Sequence, residues 1–167
     1  MKKGLSLVEL MVVLLLITVI GAALFTVLST GRTSWYSADT QISLQQELRK
    51  AMRQVTDDLR QSSGSQISFP ADGNAYNSIS FFVAEGILGS GAINWSADAI
   101  NYTLTDGQIM REQGTDSRVL ANNVTAMNFV RQPASSNIVR INLSAQKETP
   151  FRNVLNASVN SAVLLRN

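Results

Sequence analysis

Among the residues that could do chemistry, one carboxylate is out of place. Glu9 is the only charged side chain between Gly4 and Gly31, in a run otherwise made of aliphatic, aromatic and small residues. Placing an acid in lipid is costly, about 2.5–3.5 kcal/mol for Asp at the centre of a span and less near an end. The cost is tolerable where the carboxylate reaches interfacial water, or where it has a cation to answer. A chain shortened to begin at Leu5 would supply that cation, because its α-amino group would lie one helical turn from Glu9. Within one chain, amine and carboxylate would partly compensate each other. Between packed helices, the carboxylate of one could meet the amine of the next in low dielectric, which would set the axial register of the pair.

The rest of the reactive inventory is sparse. The chain has no cysteine, so a disulfide framework, a thiol nucleophile and a Cys-type zinc site are excluded. It has no histidine either, which removes the commonest general base and metal ligand. No phosphate-binding loop, dinucleotide fingerprint or nucleophile elbow is present. Asp57-Asp58 are neighbours on a predicted helix and diverge by about 100°, so they read as a solvated face rather than an acid–base pair. Asp72-Gly73-Asn74 is rich in oxygen ligands but lacks the full set of a calcium loop, and reads as a turn. Asn94-Trp95-Ser96, Asn101-Tyr102-Thr103 and Asn123-Val124-Thr125 match the glycosylation triplet by chance in an Asn- and Ser-rich chain. No catalytic residue, metal ligand or cofactor is expected. The net charge of +2 is too small to argue for nucleic acid as a partner.

Glu9 must be carried by the apolar run around it. About twenty apolar residues suffice to cross a hydrocarbon core as a helix, with every backbone polar group satisfied internally. Lys2 and Lys3 favour a cytoplasmic N-terminus, which puts the remainder beyond the outer face. Three other readings stand beside this. One is a secretory signal cut near Gly21-Ala22-Ala23, although Glu9 would interrupt its hydrophobic region and the apolar pattern runs on through Leu28. The second is a plain single-pass anchor. The third is a buried soluble helix, disfavoured because the run is apolar on all sides.

The octapeptide Lys3-Gly4-Leu5-Ser6-Leu7-Val8-Glu9-Leu10 resembles the prepilin signal of type IV pilins and type II secretion pseudopilins. The resemblance implies a leader recognised through Lys2, Lys3 and Gly4 and cut between Gly4 and Leu5 by a prepilin peptidase on the cytoplasmic side. It implies that the same enzyme N-methylates Leu5, and that Glu9, fifth after the cut, is the acid used in assembly. Members usually carry Phe at the place of Leu5 and Thr at that of Ser6, so both positions depart mildly from the pattern. The motif covers about the first thirty residues.

After the span the pattern becomes amphipathic. Leu44, Leu48, Met52, Val55 and Leu59 recur at helical steps with Ala51 on the same stripe, while Glu47, Arg49, Lys50, Arg53, Gln54, Asp57, Asp58 and Arg60 take other faces. A helix packed on its own sheet explains the stripe better than a coiled-coil seam, for which the run is too short. No proline lies between Leu5 and Gln61, so one nearly continuous helix of about 85 Å is expected. Gly21 and Ser29-Thr30-Gly31 are its weakest points, and Ser62-Ser63-Gly64 ends it, with Gly64 suited to a left-handed cap. Trp35-Tyr36, just past the span, suits either a membrane interface or packing under the head.

From Gly64 the period shifts to two. Ile79-Phe81-Val83, Ile100-Tyr102-Leu104 and Val139-Ile141-Leu143-Ala145 alternate with polar residues, and Asp106-Gly107 signals a hairpin into Gln108–Arg111. Val119-Leu120, Val124–Arg131 and a stretch within Arg152–Leu165 supply further strands, and Gly86–Gly91 reads as a connection. A helix on a mainly antiparallel sheet follows, an α+β fold. Residues Ile100–Phe129 and the closing Val163–Asn167 are similar to the heads of J-type minor pseudopilins and W-type minor pilins. The organisation expected is a leader (1–4), a transmembrane and filament-core helix (5–31), its amphipathic continuation (32–63) and a β-rich head (64–167). The resemblance implies a non-enzymatic assembly subunit in a tip or priming complex, with other pilin or pseudopilin subunits, the prepilin peptidase and the bacterial inner membrane as partners. Its head would stand outside the cytoplasm and later in a pilus or periplasmic pseudopilus. The competing expectation is a membrane-tethered or secreted binding domain, such as an adhesin or a DNA-uptake subunit.

Overall fold

A computed structural model describes residues 7–70, 72–131 and 137–166. Helix α1 runs unbroken over Leu7–Arg60, 54 residues. Gly21 and Gly31 stay helical; each costs about 1 kcal/mol relative to Ala, and the surrounding helix formers absorb it. The chain divides into two compact units, Met1–Asp39 and Thr40–Asn167.

In the first unit the described residues are all helical, and the large apolar side chains from Leu7 to Leu28 are exposed; Leu7 and Phe25 each keep 74% of their surface. By length and composition α1 is apolar enough to cross a membrane. Three of its hydroxyls are satisfied locally: Thr18 Oγ1 donates to the Leu15 carbonyl (2.8 Å), Thr26 Oγ1 to Ala22 (2.9 Å) and Thr33 Oγ1 to Ser29 (3.0 Å). These three hydroxyls, which would be expensive to leave bare in lipid, are thereby paired inside the helix.

The second unit builds two main sheets around the amphipathic end of α1. Strands β1 (Ile67–Phe69), β3 (Ser78–Phe81), β6 (Ile100–Thr105), β7 (Gln108–Gln113) and β8 (Asp116–Ala121) form the first sheet, in the order β1-β3-β6-β7-β8. Strands β2 (Ala75–Tyr76), β9 (Val124–Arg131), β10 (Ile138–Glu148) and β11 (Val154–Leu164) form the second, in the order β11-β10-β9-β2. Every pairing is antiparallel. The stripe Leu44, Leu48, Ala51, Met52, Val55 and Leu59 is buried in one core with Phe81, Tyr102, Ile109, Phe129, Ile141 and Leu143. Each fully buried side chain of this size contributes about 1.5–3 kcal/mol. The stripe is therefore this head's own packing surface, as its spacing predicts.

The hairpin turn falls where expected, with Asp106 (φ 50°) and Gly107 (φ 73°) both left-handed, as a type I′ turn requires. Three expectations need correction. Gly64 is not a left-handed cap; α1 closes through tightened turns, Gln61 N–H to Asp58 O (3.1 Å) and Ser62 N–H to Leu59 O (3.0 Å), and Gly64 opens a short 3-10 turn, Gly64–Gln66. Its neighbourhood is tight: a Cβ there would stand 2.7 Å from Asn137 Oδ1, so that side chain would have to move aside. The connection Gly86–Gly91 is partly strand, because β4 (Ala84–Ile87) pairs with β5 (Ile93–Trp95) as a separate hairpin. Four residues interrupted by glycine give no period-two signal. The third correction concerns Asp58.

Candidate functional site

Of the residues read from sequence as functional, Lys2, Lys3, Gly4 and Leu5 lie outside the described residues. Glu9 lies on α1, exposed, with exposed Val8, Leu10, Val12 and Val13 around it. No described side chain pairs with its carboxylate. The acid thus stands on an exposed, apolar stretch of helical surface. Trp35, further along, is 74% exposed.

The second cluster was missed in the sequence. Asp57 does sit on the solvated face, within 3.9 Å of Arg53 and 3.8 Å of Arg60. Asp58, 100° further round, does not, and is only 7% exposed. Its Oδ2 accepts from Tyr102 Oη (2.6 Å) and from Arg111 Nε (2.8 Å), while Oδ1 accepts from Gln54 Nε2 (2.9 Å). Arg111 also donates through Nη2 to Gln113 Oε1 (2.9 Å), and its Nη1 stands 3.9 Å from Asp116 Oδ2. Tyr102 and Arg111 are directly opposite in the β6–β7 ladder, so the hairpin delivers both donors to one carboxylate. Burial pulls the Arg111 guanidinium down, but its bond to Asp58 and that carboxylate's charge outweigh this and hold it above its ordinary value. The group is an ion-paired strut between α1 and the first sheet. Both carboxylate oxygens are occupied, so it offers no free base.

The Tyr102 phenol is pushed well above its ordinary value of 10.0, first by burial and then by the adjacent Asp58 carboxylate. The folded protein keeps this proton where an unfolded chain would release it. The contribution to stability is therefore full below pH 10 and is lost as pH rises above it, at up to about 1.4 kcal/mol per pH unit. We expect Tyr102→Phe to be about 1–2 kcal/mol less stable at pH 7 and to show a shallower alkaline decline. Denaturant midpoints from pH 7 to 11.5 would check both; parallel declines in the two proteins would contradict the assignment.

Asp72 is likewise committed. Its oxygens accept from Asn74 N (3.1 Å), Asn74 Nδ2 (2.8 Å) and Tyr76 Oη (2.5 Å), and the Tyr76 and Asn74 bonds hold its carboxyl below the ordinary value. Gly73 (φ 83°) completes an ordinary turn. Among the described residues no three His, Cys, Asp or Glu side chains come together. Phe81 and Tyr102 stack within the core, their centroids 6.1 Å apart, and offer no platform for bases.

No protein-family model matches this sequence, and a search of curated proteins finds none that does.

Proposed function

We propose that this chain is a type IV pilin-like assembly subunit, a minor pilin or minor pseudopilin acting without catalysis in a tip or priming complex. The observation that carries the reading is the lone acid Glu9, exposed on an apolar helix four positions after Leu5, with Lys2-Lys3-Gly4 before it and an antiparallel head behind it. The apolar half of α1 serves first as inner-membrane anchor and then as filament core. Both surroundings are dry, so the same exposed aliphatic surface suits each. Prepilin peptidase removes residues 1–4 and methylates Leu5. The new amine of one subunit and Glu9 of its neighbour then meet during assembly, and the head stays outside the cytoplasm.

Gly4→Val tests the first step. A β-branched side chain at the scissile position blocks a peptidase built around glycine, so the variant is expected to stay in the membrane with residues 1–4 attached. Intact-mass spectrometry of membrane-extracted protein reads the outcome directly. A Gly4→Val chain of normal mature mass, or a wild-type chain retaining Met1–Gly4 in its working assembly, overturns the reading. A wild-type terminus near Leu24 would instead favour a secreted binding domain.

A further inference from the structure

The second sheet buries one face and exposes the other. Met127, Phe129, Ile141 and Leu143 lie in the core shared with α1, so the residues between them stand on the side away from that helical stripe. On this outer side the ladder sets Asn128, Asn142 and Asn160 directly opposite one another across β9, β10 and β11. All three are exposed. They form a row that crosses the strands, with about 5 Å between neighbours. The adjacent row is Val130, Arg140 and Ala162. Together the two rows line an open hollow of about 500 Å³, within the range of about 300–1,000 Å³ that ligand sites occupy.

The polar groups of this hollow have little to bond within the fold. The amides of Asn128 and Asn160 make no hydrogen bond among the described residues, and Asn142 Oδ1 accepts only a long one from Ser144 Oγ (3.3 Å). Arg140 is exposed and is the only charge in the lining. Its cross-strand neighbours are Val130 and Ala162, its neighbours along the strand on this face are Ile138 and Asn142, and the joining segment 132–136 contains no acid. No ion pair holds it among the described residues. Three amides and one guanidinium select the ligand. An amide donates through nitrogen and accepts through oxygen, so each can hold two neighbouring hydroxyls of a sugar ring at once. An extended peptide laid along the row repeats its outward N–H and C=O groups every two residues, about 6.7 Å, and falls out of step by roughly 2 Å at each strand. A nucleic-acid strand calls for several cations and for stacking platforms, and the lining has one cation and no aromatic ring. Val130 and Ala162 give the C–H face of a sugar ring an apolar seat, and the Arg140 fork fits a carboxylate carried by that ring. We propose that this hollow binds an acidic polysaccharide, a chain of hydroxylated rings bearing carboxylates, laid across β9, β10 and β11.

Titration calorimetry on the full-length protein, in micelles of a zwitterionic detergent without a sugar headgroup, tests this. The probes are oligogalacturonate and alginate oligomers, two polyuronates of different ring stereochemistry, with the methyl ester of each and with polyglutamate. At least one polyuronate is expected to bind. Its ester keeps the ring hydroxyls but loses the charge, and should bind about tenfold more weakly. Polyglutamate, which has the charge without the rings, should bind more weakly still. Asn142→Ala and Asn160→Ala should each weaken the bound polyuronate by about tenfold; the second decides alone if the first alters cooperative unfolding. Arg140→Gln should bring acid and ester to one affinity. Gln146→Ala, exposed on the same face but outside the lining, should bind as the wild type does. No binding of either polyuronate, polyglutamate bound as tightly as they are, or wild-type affinity in Asn160→Ala overturns the proposal. None of these readouts depends on how the N-terminus is processed or on filament assembly, so this site and the assembly reading can fail separately.

Discussion

Replacing Asp58 with alanine is expected to cost the head about 3–5 kcal/mol, the typical cost of breaking one side of a buried ion pair. Arg111 would keep its charge in a site where it is 7% exposed, and its nearest remaining carboxylate would be Asp116, at 3.9 Å. Tyr102, fully buried, would lose its acceptor at 2.6 Å. A small domain has only about 5–15 kcal/mol in total, so this single change takes a large share of it. The loss should come from stranding rather than from the pair's net value. The double variant Asp58→Leu/Arg111→Met should therefore recover much of the loss, because charges removed together leave nothing unpaired. Guanidinium midpoints for the wild type, the two single variants and the double variant close the cycle. A double variant as unstable as the sum of the single ones would show that the strut does not act as a pair.

Glu9→Val should insert into membranes at least as well as the wild type and fail in assembly. Removing the acid relieves an insertion cost of up to about 2.5–3.5 kcal/mol, and valine matches the surrounding Val8, Val12 and Val13. If the neighbouring amine then meets no carboxylate in a dry helix bundle, the stranded cation costs about 3–5 kcal/mol, or about a hundredfold or more in incorporation at 1.4 kcal/mol per factor of ten. Glu9→Asp, one methylene shorter, should retain part of the function. Membrane fractionation measures the first half of this expectation, and co-purification with sheared filaments measures the second. Unchanged incorporation of Glu9→Val would remove the pairing idea while leaving the anchor in place.

Much of this fold was legible because hydrophobic period dominated it. The stripe from Leu44 to Leu59 and the alternation in β3, β6 and β10 each mark a buried face, and a buried face leaves little freedom of register. The Asp58 strut was legible too, from two facts not combined. Positions 44, 48, 51, 55, 58 and 62 continue one helical stripe, which puts Asp58 inward. A two-residue turn at Asp106-Gly107 makes Tyr102 the cross-strand partner of Arg111. What lay beyond the sequence was long-range and aperiodic: the 115-residue reach from Gln41 to Asn156, the seat of Gly64 against Asn137, and a glycine-broken hairpin at β4–β5. These depend on where separate elements come to rest, which no local pattern encodes. Glu9 is the converse case, identified by sequence alone because a charge amid aliphatics needs no fold to be conspicuous.

The tie between Ser62 and Arg166 carries a consequence for how the head is made. The end of α1 is fastened by a residue 104 positions later (166 − 62), so helix and fastener are separated by nearly the whole sheet system. A local helix forms within about a microsecond, whereas closure at this distance waits for non-local strand pairing. A helix formed ahead of those strands leaves Leu44, Leu48, Val55 and Leu59 bare until the strands gather over them. In that interval the spine of the head is a greasy surface in need of shelter, and any holdase serving this protein should grip it there.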